Sequence, residues 1–203
     1  MKAPDQNNSL LFRAGTRRFK SARTLAFAVL LNPAAFLGCR QAAQDVVAGG
    51  PPSLQLTSPS FHDGAIPRAY TCDGSDTSPK LSWTAPPATT KSLALIVIDP
   101  DAPQGTFVHW VLYNLPPSTR ELPEGLPAQP QLPDGSRLGL NDFPKIGYGG
   151  PCPPKNSRHH YRFILYAVDT KLDLPSGIGR KQAEEALKGH ILAYGELRAR
   201  YGR

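Results

Sequence analysis

The sequence predicts a mainly β domain, in which two antiparallel sheets pack together and one clear helix lies near the end. Three long apolar runs rich in β-branched residues (92–99, 107–114 and 161–168) are typical of strands buried on both faces. Seven residues separate the first two runs, which favours an antiparallel hairpin. Only residues 179–190 carry apolar side chains at helical spacing. Together these observations indicate two packed sheets.

The elements before these long runs are short. Residues 54–58 alternate apolar and polar side chains, as a half-buried strand does. Residues 61–78 are rich in Gly, Asp, Ser and Pro and are predicted to be an irregular connection. Residues 81–83 are a candidate short strand, and Pro100 is expected to end the strand at 92–99, since proline cannot donate a ladder hydrogen bond. Residues 115–154 contain no regular run, and so long a segment in a compact domain is usually functional.

The end of the chain combines a helix and a strand. An amphipathic helix is predicted from apolar residues at helical spacing, namely Ala183, Ala186, Leu187 and Ile191. Gly195 is expected to break it. Residues 196–201 then alternate, and we predict an edge strand there.

Charge is unevenly distributed along the chain. The net charge of the 203 residues is +7, which invites a nucleic-acid or membrane-surface interpretation. The first 38 residues hold six basic residues and one acidic residue, which leaves 17 basic and 15 acidic residues and a formal +2 for residues 39–203. Nucleic-acid binding is therefore disfavoured, and the length suits one domain.

The amino-terminal segment resembles an export signal. A basic stretch precedes an apolar stretch (25–37) that is shorter than a bilayer span, as in secretory leaders. The apolar stretch leads into Ala-Phe-Leu-Gly-Cys, which resembles a bacterial lipoprotein signal and predicts lipidation of Cys39. We therefore predict a leader at 1–38, a flexible tether at 39–53 and a folded domain at 54–203.

This leader predicts an exported lipoprotein of the periplasm or cell envelope, with the lipid anchor as its membrane contact. The alternatives are an ordinary cleaved signal, a misassigned start and a cytosolic leader. In an exported protein, Cys72 and Cys152 favour a disulfide, and two buried free thiols are the alternative. Neither cysteine has a second ligand at zinc-motif spacing.

Polar residues collect where the predicted strands begin and end. Asp99 and Asp101 follow the run 92–99, although two such aspartates are often turn formers or solvated acids. His109 lies inside an apolar strand, where a core histidine is the usual alternative. His159 and His160 adjoin Tyr161 at the start of the predicted strand 161–168, so neighbouring side chains are expected to point to opposite faces. The glycines of 147–150 could present backbone N–H groups to an anion.

Taken in order, these pieces resemble one protein family. They are Asp-Pro-Asp-Ala-Pro at 99–103, His-Trp at 109–110, Gly-Gly-Pro-Cys-Pro-Pro at 149–154 and His-His-Tyr at 159–161. The same motifs in the same order characterise the phosphatidylethanolamine-binding, or Raf-kinase-inhibitor-like, family, and this sequence is similar to its bacterial branch. The resemblance extends from about residue 54 to residue 201.

The resemblance implies a sandwich of two antiparallel sheets with peripheral helices. It also implies a small preformed pocket that binds phosphate-like anions and phospholipid headgroups. Carried over by position, the ligand-binding residues would be Asp99, Asp101, His109, Gly150, Cys152, Pro153, Pro154, His159 and Tyr161. Phe107 stands where the family usually has tryptophan, and Arg158 adds a positive charge that the family pattern does not require.

Two aspartates suit an anion if the anion keeps a proton. A phosphate monoester has its second pKa near 6 and can donate that proton to a carboxylate such as Asp99. The imidazoles of His109 and His159, the hydroxyl of Tyr161 and the loop N–H groups can act as donors. The predicted ligand is thus a phosphate or a phospholipid headgroup.

The leading hypothesis is a non-enzymatic binding or regulatory protein that needs no cofactor, no metal and no catalytic residue. The sequence has no nucleophile elbow, phosphate loop or dinucleotide fingerprint. The rival is a metal-dependent phosphoester hydrolase, with its metal ligands supplied by Asp99, Asp101, His109 and His159. A third possibility, consistent with the family resemblance, is inhibition of a kinase or protease through the pocket rim; the sequence names no target.

Overall fold

The computed structural model describes residues 54–203, and these form two antiparallel sheets with little helix. The predictions for the leader at 1–38, the tether at 39–53 and the lipidation of Cys39 lie outside the described residues. No helix within 54–203 is long and apolar enough to cross a membrane.

The smaller sheet has three short strands, which pair in the order β1-β2-β5. They are β1 (Leu56–Thr57), β2 (Leu81–Trp83) and β5 (Glu121–Leu122). The larger sheet has five strands in the order β6-β4-β3-β7-β8. They are β3 (Ser92–Asp99), β4 (Phe107–Leu115), β6 (Arg137–Leu138), β7 (Arg158–Val168) and β8 (Ile191–Gly202). The prediction of a mainly β protein with two antiparallel sheets is confirmed.

The long apolar runs are explained by burial on both faces of the larger sheet. One face of β3 packs Leu93, Leu95 and Val97 into the core between the sheets. The other face packs Ala94, Ile96 and Ile98 into a second core, which also contains Ala183 and Leu187 of the helix α1 (Arg180–Leu187). Because both faces are covered, the strand has no polar alternation, as its sequence predicts.

The helix is shorter than predicted, and its end differs. It stops at Leu187, and Gly189 takes a positive φ of 78° there. Ile191 therefore begins β8, and the prediction that Gly195 breaks the helix is wrong. Gly195 lies inside the strand, where an added Cβ would be 2.4 Å from the carbonyl oxygen of Leu54. Glycine is required there because another backbone passes so close.

Two more segments differ from the sequence-based expectation. β7 begins at Arg158, three residues before the predicted strand, because His159 and His160 already pair with Tyr201 and Arg200 of β8. The segment 115–154 contains the two-residue strands β5 and β6 and is otherwise irregular. As predicted, β8 is an edge strand of the larger sheet, and β3 and β4 form an antiparallel hairpin.

Candidate functional site

A pocket of about 420 Å³ opens where β3 ends and β4 and β7 begin. Asp99, His109 and His159 come from the strands, and most of the remaining lining comes from loops. The lining residues are Asp99, Ala102, Pro103, Gln104, Gly105, Phe107, His109, Phe143, Cys152, Pro153, Pro154, His159 and Arg203. Such a volume suits a small ligand or a headgroup.

A β-bulge directs His109 into this pocket. Val97 pairs with Trp110 and Ile98 pairs with Val108, so His109 is an extra residue on β4. Two consecutive side chains, those of His109 and Trp110, can therefore face the inner side of the sheet. His109 packs edge-on against Tyr161, with ring centroids 5.2 Å apart, and Trp110 belongs to the inner core.

The tautomer of His109 follows from its hydrogen bond. Its Nδ1 lies 2.7 Å from the carbonyl oxygen of Gly149, and a carbonyl can only accept, so Nδ1 carries the hydrogen. Burial lowers the pKa of His109, against the opposing effects of the Gly149 carbonyl and the charge of Asp99. The ring is only 2 % exposed. The structure thus favours a neutral imidazole here.

Asp99 and His159 form a buried hydrogen-bonded pair in the same pocket as His109. The Nδ1 of His159 lies 2.7 Å from Oδ2 of Asp99, and Oδ1 of Asp99 accepts the backbone N–H of Asp101 at 2.8 Å. Both side chains are less than a tenth exposed. The carboxylate therefore fixes the orientation of the imidazole, whose Nε2 remains for a ligand.

Tyr161 lies behind these groups and is fully buried. Within residues 54–203 its buried hydroxyl makes no hydrogen bond of normal geometry, although it lies near the carboxylate of Asp99. Burial, followed by the charge of Asp99, raises the pKa of Tyr161 well above its usual value. The hydroxyl consequently keeps its proton. Tyr161, which the resemblance implies as a ligand-binding residue, does not belong to the pocket lining.

Asp101 is not part of the pocket lining. Its Oδ2 accepts the backbone N–H of His160 and lies 2.8 Å from Nδ1 of that ring. Burial alone would raise the pKa of Asp101, but the hydrogen bonds from the backbone and side chain of His160 together outweigh it and lower the pKa. Because His159 and His160 alternate along β7, this second pair faces away from the first. Asp101 supports the site through its backbone N–H to Asp99.

The loop that contains Gly150 is held to the turn at 70–76. Cys72 and Cys152 form a disulfide, as the sequence favours. The N–H of Gly150 donates to Oδ1 of Asp76 at 2.6 Å, and the N–H of Cys72 donates to the Pro151 carbonyl. Gly150 does not line the pocket, and its role is this close approach, whereas Cys152 belongs to the wall.

Two lining residues, Phe143 and Arg203, are not apparent from sequence motifs, whereas Phe107 stands at the position where the family usually has tryptophan. Phe107 and Phe143 pack edge-on at 4.7 Å and form an apolar wall beside His109. Arg203 lies at the rim, paired with Asp73 at 2.9 Å. The cation near the pocket is thus Arg203, whereas Arg158 is exposed and absent from the lining. Arg203 lies far along the chain from the motifs at 99–161, so no motif identifies it as a pocket residue.

The described residues offer no arrangement of three His, Cys, Asp or Glu side chains that could hold a metal ion. The four ligands of the hydrolase hypothesis are divided between two sides of the sheet. Asp99, His109 and His159 line the pocket, whereas Asp101 pairs with His160 on the other side.

The architecture defines a β-sandwich protein with a preformed polar pocket at the edge of its sheets. Comparisons with known proteins identify the family. The sequence profile of the phosphatidylethanolamine-binding protein family matches residues 57–202. The chain belongs to this family.

Relatives with similar sequences are proteins of the UPF0098 group. One from Methanothermobacter thermautotrophicus is 48% identical over 151 residues, which make up 74% of this chain and 99% of the relative. One from Pyrococcus horikoshii is 47% identical over 154 residues, 74% of this chain and 77% of the relative. Since the shared region is almost the whole of the first relative, this unit occurs as an independent chain.

Solved structures show the same fold. The phosphatidylethanolamine-binding protein homologue of Chlamydia trachomatis is 40% identical, with a TM-score of 0.67, over 75% of this chain and 99% of the other. The Escherichia coli protein YbcL, described as a member of the mammalian family, is 33% identical, with a TM-score of 0.68, over 74% of this chain and 98% of the other.

Proposed function

We propose that this protein is a non-enzymatic receptor for phosphate-type anions, including phospholipid headgroups. The observation that carries the proposal is the preorganised polar floor of the pocket. There the Asp99–His159 pair and the ring of His109 are buried and each ring is held by a hydrogen bond. Groups fixed in this way can bind a ligand without reorganising first.

The surroundings of the pocket also suit a small anion. The guanidinium of Arg203, which belongs to the lining, supplies positive charge. Pro153 and Pro154 stiffen one wall, and the aromatic side chains of Phe107 and Phe143 limit its width. These features support recognition of a compact oxyanion.

Calorimetry with phosphoethanolamine tests the proposal on purified residues 54–203. We expect binding by the wild type and a loss of at least tenfold in affinity for Asp99→Ala and for His109→Ala, because each variant removes a floor group. His190→Ala is the matched control, since it breaks a similar but exposed His–Asp pair with Asp169. Equal affinities of the wild type and all three variants for phosphoethanolamine would contradict the proposal.

We further propose that the protein is an exported lipoprotein of the cell envelope, anchored through Cys39. The leader pattern supports this, and the Cys72–Cys152 disulfide suits an oxidising compartment. Growth with a clickable fatty acid should label the wild type, whereas Cys39→Ala should remain unlabelled. If the wild-type protein incorporates no fatty-acid label, the proposed lipid anchor at Cys39 is wrong.

A further inference from the structure

The hydrogen-bonding polarity of the pocket floor restricts which oxyanions it can accept. His109 gives its Nδ1 hydrogen to Gly149, and its Nε2 has no hydrogen-bond partner within residues 54–203. The ring lines the pocket, and its buried environment favours the neutral form. Nε2 therefore offers a lone pair to the ligand and can only accept a hydrogen.

Asp99 is a second acceptor on the floor. One of its oxygens takes the N–H of Asp101 and the other takes Nδ1–H of His159. Each carboxylate oxygen has a further lone pair, and Asp99 lines the pocket. A ligand that reaches the floor thus meets a negative charge and lone pairs.

The donors are fewer and lie around this floor. Nε2 of His159 donates only when the ring is protonated, and the hydroxyl of Tyr161 is buried near Asp99, outside the pocket lining. Arg203 stands at the rim, bound to Asp73 and to the carbonyl of Pro153. An oxyanion with no hydrogen of its own can satisfy these donors, but it leaves His109 and Asp99 facing its own lone pairs.

We infer that the pocket selects an oxyanion that brings its own hydrogen-bond donor and rejects an acceptor-only oxyanion of the same charge. The hydrogen is donated to Nε2 of His109 or to the carboxylate of Asp99. Two ligands fit this chemistry, a phosphate monoester in its monoanionic form and a phosphodiester headgroup that carries an ammonium group. The inference rests on the proposed anion-binding function and specifies its ligand class.

Ethyl phosphate and ethyl sulfate distinguish an oxyanion that carries a proton from an acceptor-only oxyanion, because the sulfate ester is a monoanion of similar shape without a proton. Calorimetry on residues 54–203 at pH 6 should show the sulfate binding roughly 10- to 100-fold more weakly, since a buried acceptor is left unpaired. About half of the phosphate ester is monoanionic at pH 6 and about one hundredth at pH 8. The advantage of phosphate over sulfate should therefore shrink about tenfold or more at pH 8.

The ratio of the two affinities isolates the ligand's proton from the charges of the protein. The charged or titratable groups near the pocket are Asp99, Asp101, Asp142, His109, His159, His160, Tyr161, Arg203 and Asp73. These groups act alike on the two monoanions, so a difference in affinity between the monoanions reports a contact with the ligand's own hydrogen.

Two headgroups distinguish the sources of the hydrogen. Glycerophosphoethanolamine and glycerophosphocholine carry the same charges, but only the first has N–H donors. If a lipid headgroup is the ligand, the ethanolamine compound should bind at least tenfold more tightly than the choline compound. If both headgroups bind equally weakly and ethyl phosphate binds well, the ligand class is the phosphate monoester.

Asp99→Asn replaces an acceptor on the pocket floor with an amide that can also donate a hydrogen bond. It should therefore reduce the preference for ethyl phosphate over ethyl sulfate by about tenfold. Asp169→Asn, in the exposed His190–Asp169 pair, is the control. The comparison of esters on the wild type needs no variant to fold. Equal affinities for ethyl phosphate and ethyl sulfate at pH 6 would overturn the inference and leave the anion-binding proposal intact. Failure of every ester and headgroup to bind would overturn both.

Discussion

Replacing Gly150 with alanine should destabilise the pocket wall through steric overlap. An added Cβ would lie 2.4 Å from the carbonyl oxygen of Tyr70, 2.5 Å from Oδ1 of Asp76 and 2.8 Å from Cα of Thr71. Two of these atoms belong to backbone, so the loop itself must shift. Overpacking costs about 1–3 kcal/mol, and weakening the hydrogen bond from Gly150 to Asp76 costs about 1 kcal/mol more. We expect a loss of about 2–4 kcal/mol.

Urea unfolding of oxidised residues 54–203, followed by tryptophan fluorescence, measures this loss. Gly179→Ala is the matched control, because nothing lies within 4 Å of its added Cβ and its φ is −85°. That variant should change the free energy of unfolding by less than about 1 kcal/mol. Because Gly150 and Cys152 share one loop, Gly150→Ala should also weaken the binding of phosphoethanolamine.

A free energy of unfolding for Gly150→Ala within about 0.5 kcal/mol of the wild type would refute this reasoning. It would mean that the loop relaxes away from the turn at 70–76 without cost. In that case the fixed wall could not account for a preorganised pocket. Equal losses in Gly150→Ala and Gly179→Ala would also contradict the steric explanation.

Two further predictions concern the disulfide and an ion-pair cluster. Reduction of Cys72–Cys152, which closes a loop of 80 residues, should lower the free energy of unfolding by about 4 kcal/mol; identical urea midpoints with and without reductant would contradict this. Burial would raise the pKa of Glu196, but hydrogen bonds from Arg162 and Arg198 outweigh it and hold the pKa below 4.5. A lowered carboxylate pKa stabilises the fold above about 4.5, and this stability is lost as pH falls through the folded value. From pH 7 to pH 3 the free energy of unfolding, measured with urea, should thus fall more steeply for the wild type than for Glu196→Gln. Parallel pH dependences of the two proteins would contradict this prediction.

Much of the fold could be predicted because its information is local. The apolar run that became β3 has the predicted bounds, Ser92–Asp99, since a strand buried on both faces needs apolar side chains throughout. The long strand β7 was recognised in the same way, although its first three residues were missed. Those residues are polar, and their pairing with β8 is not visible in the local pattern.

The candidate site could be predicted only in part. The order of the motifs predicted that Asp99, His109 and His159 share one ligand-binding pocket. In the structure all three line the same pocket. The same motifs placed Asp101, Gly150 and Tyr161 there, but none of the three lines the pocket. Asp101 pairs with His160, Gly150 packs on the turn at 70–76, and Tyr161 is buried against His109. A motif identifies neighbours in sequence, but the direction of each side chain depends on the strand that carries it.

The sequence by itself determined the class of fold, the pairing of β3 with β4 and the family, because alternation and apolar runs are properties of short segments and motif order is read directly along the chain. Tertiary structure alone decided that a bulge directs His109 inward and that Asp99 meets His159 across 60 residues. It also brought Arg203 to the rim. These features depend on register between strands distant in the chain, and register is set only when the sheet forms and its faces are buried.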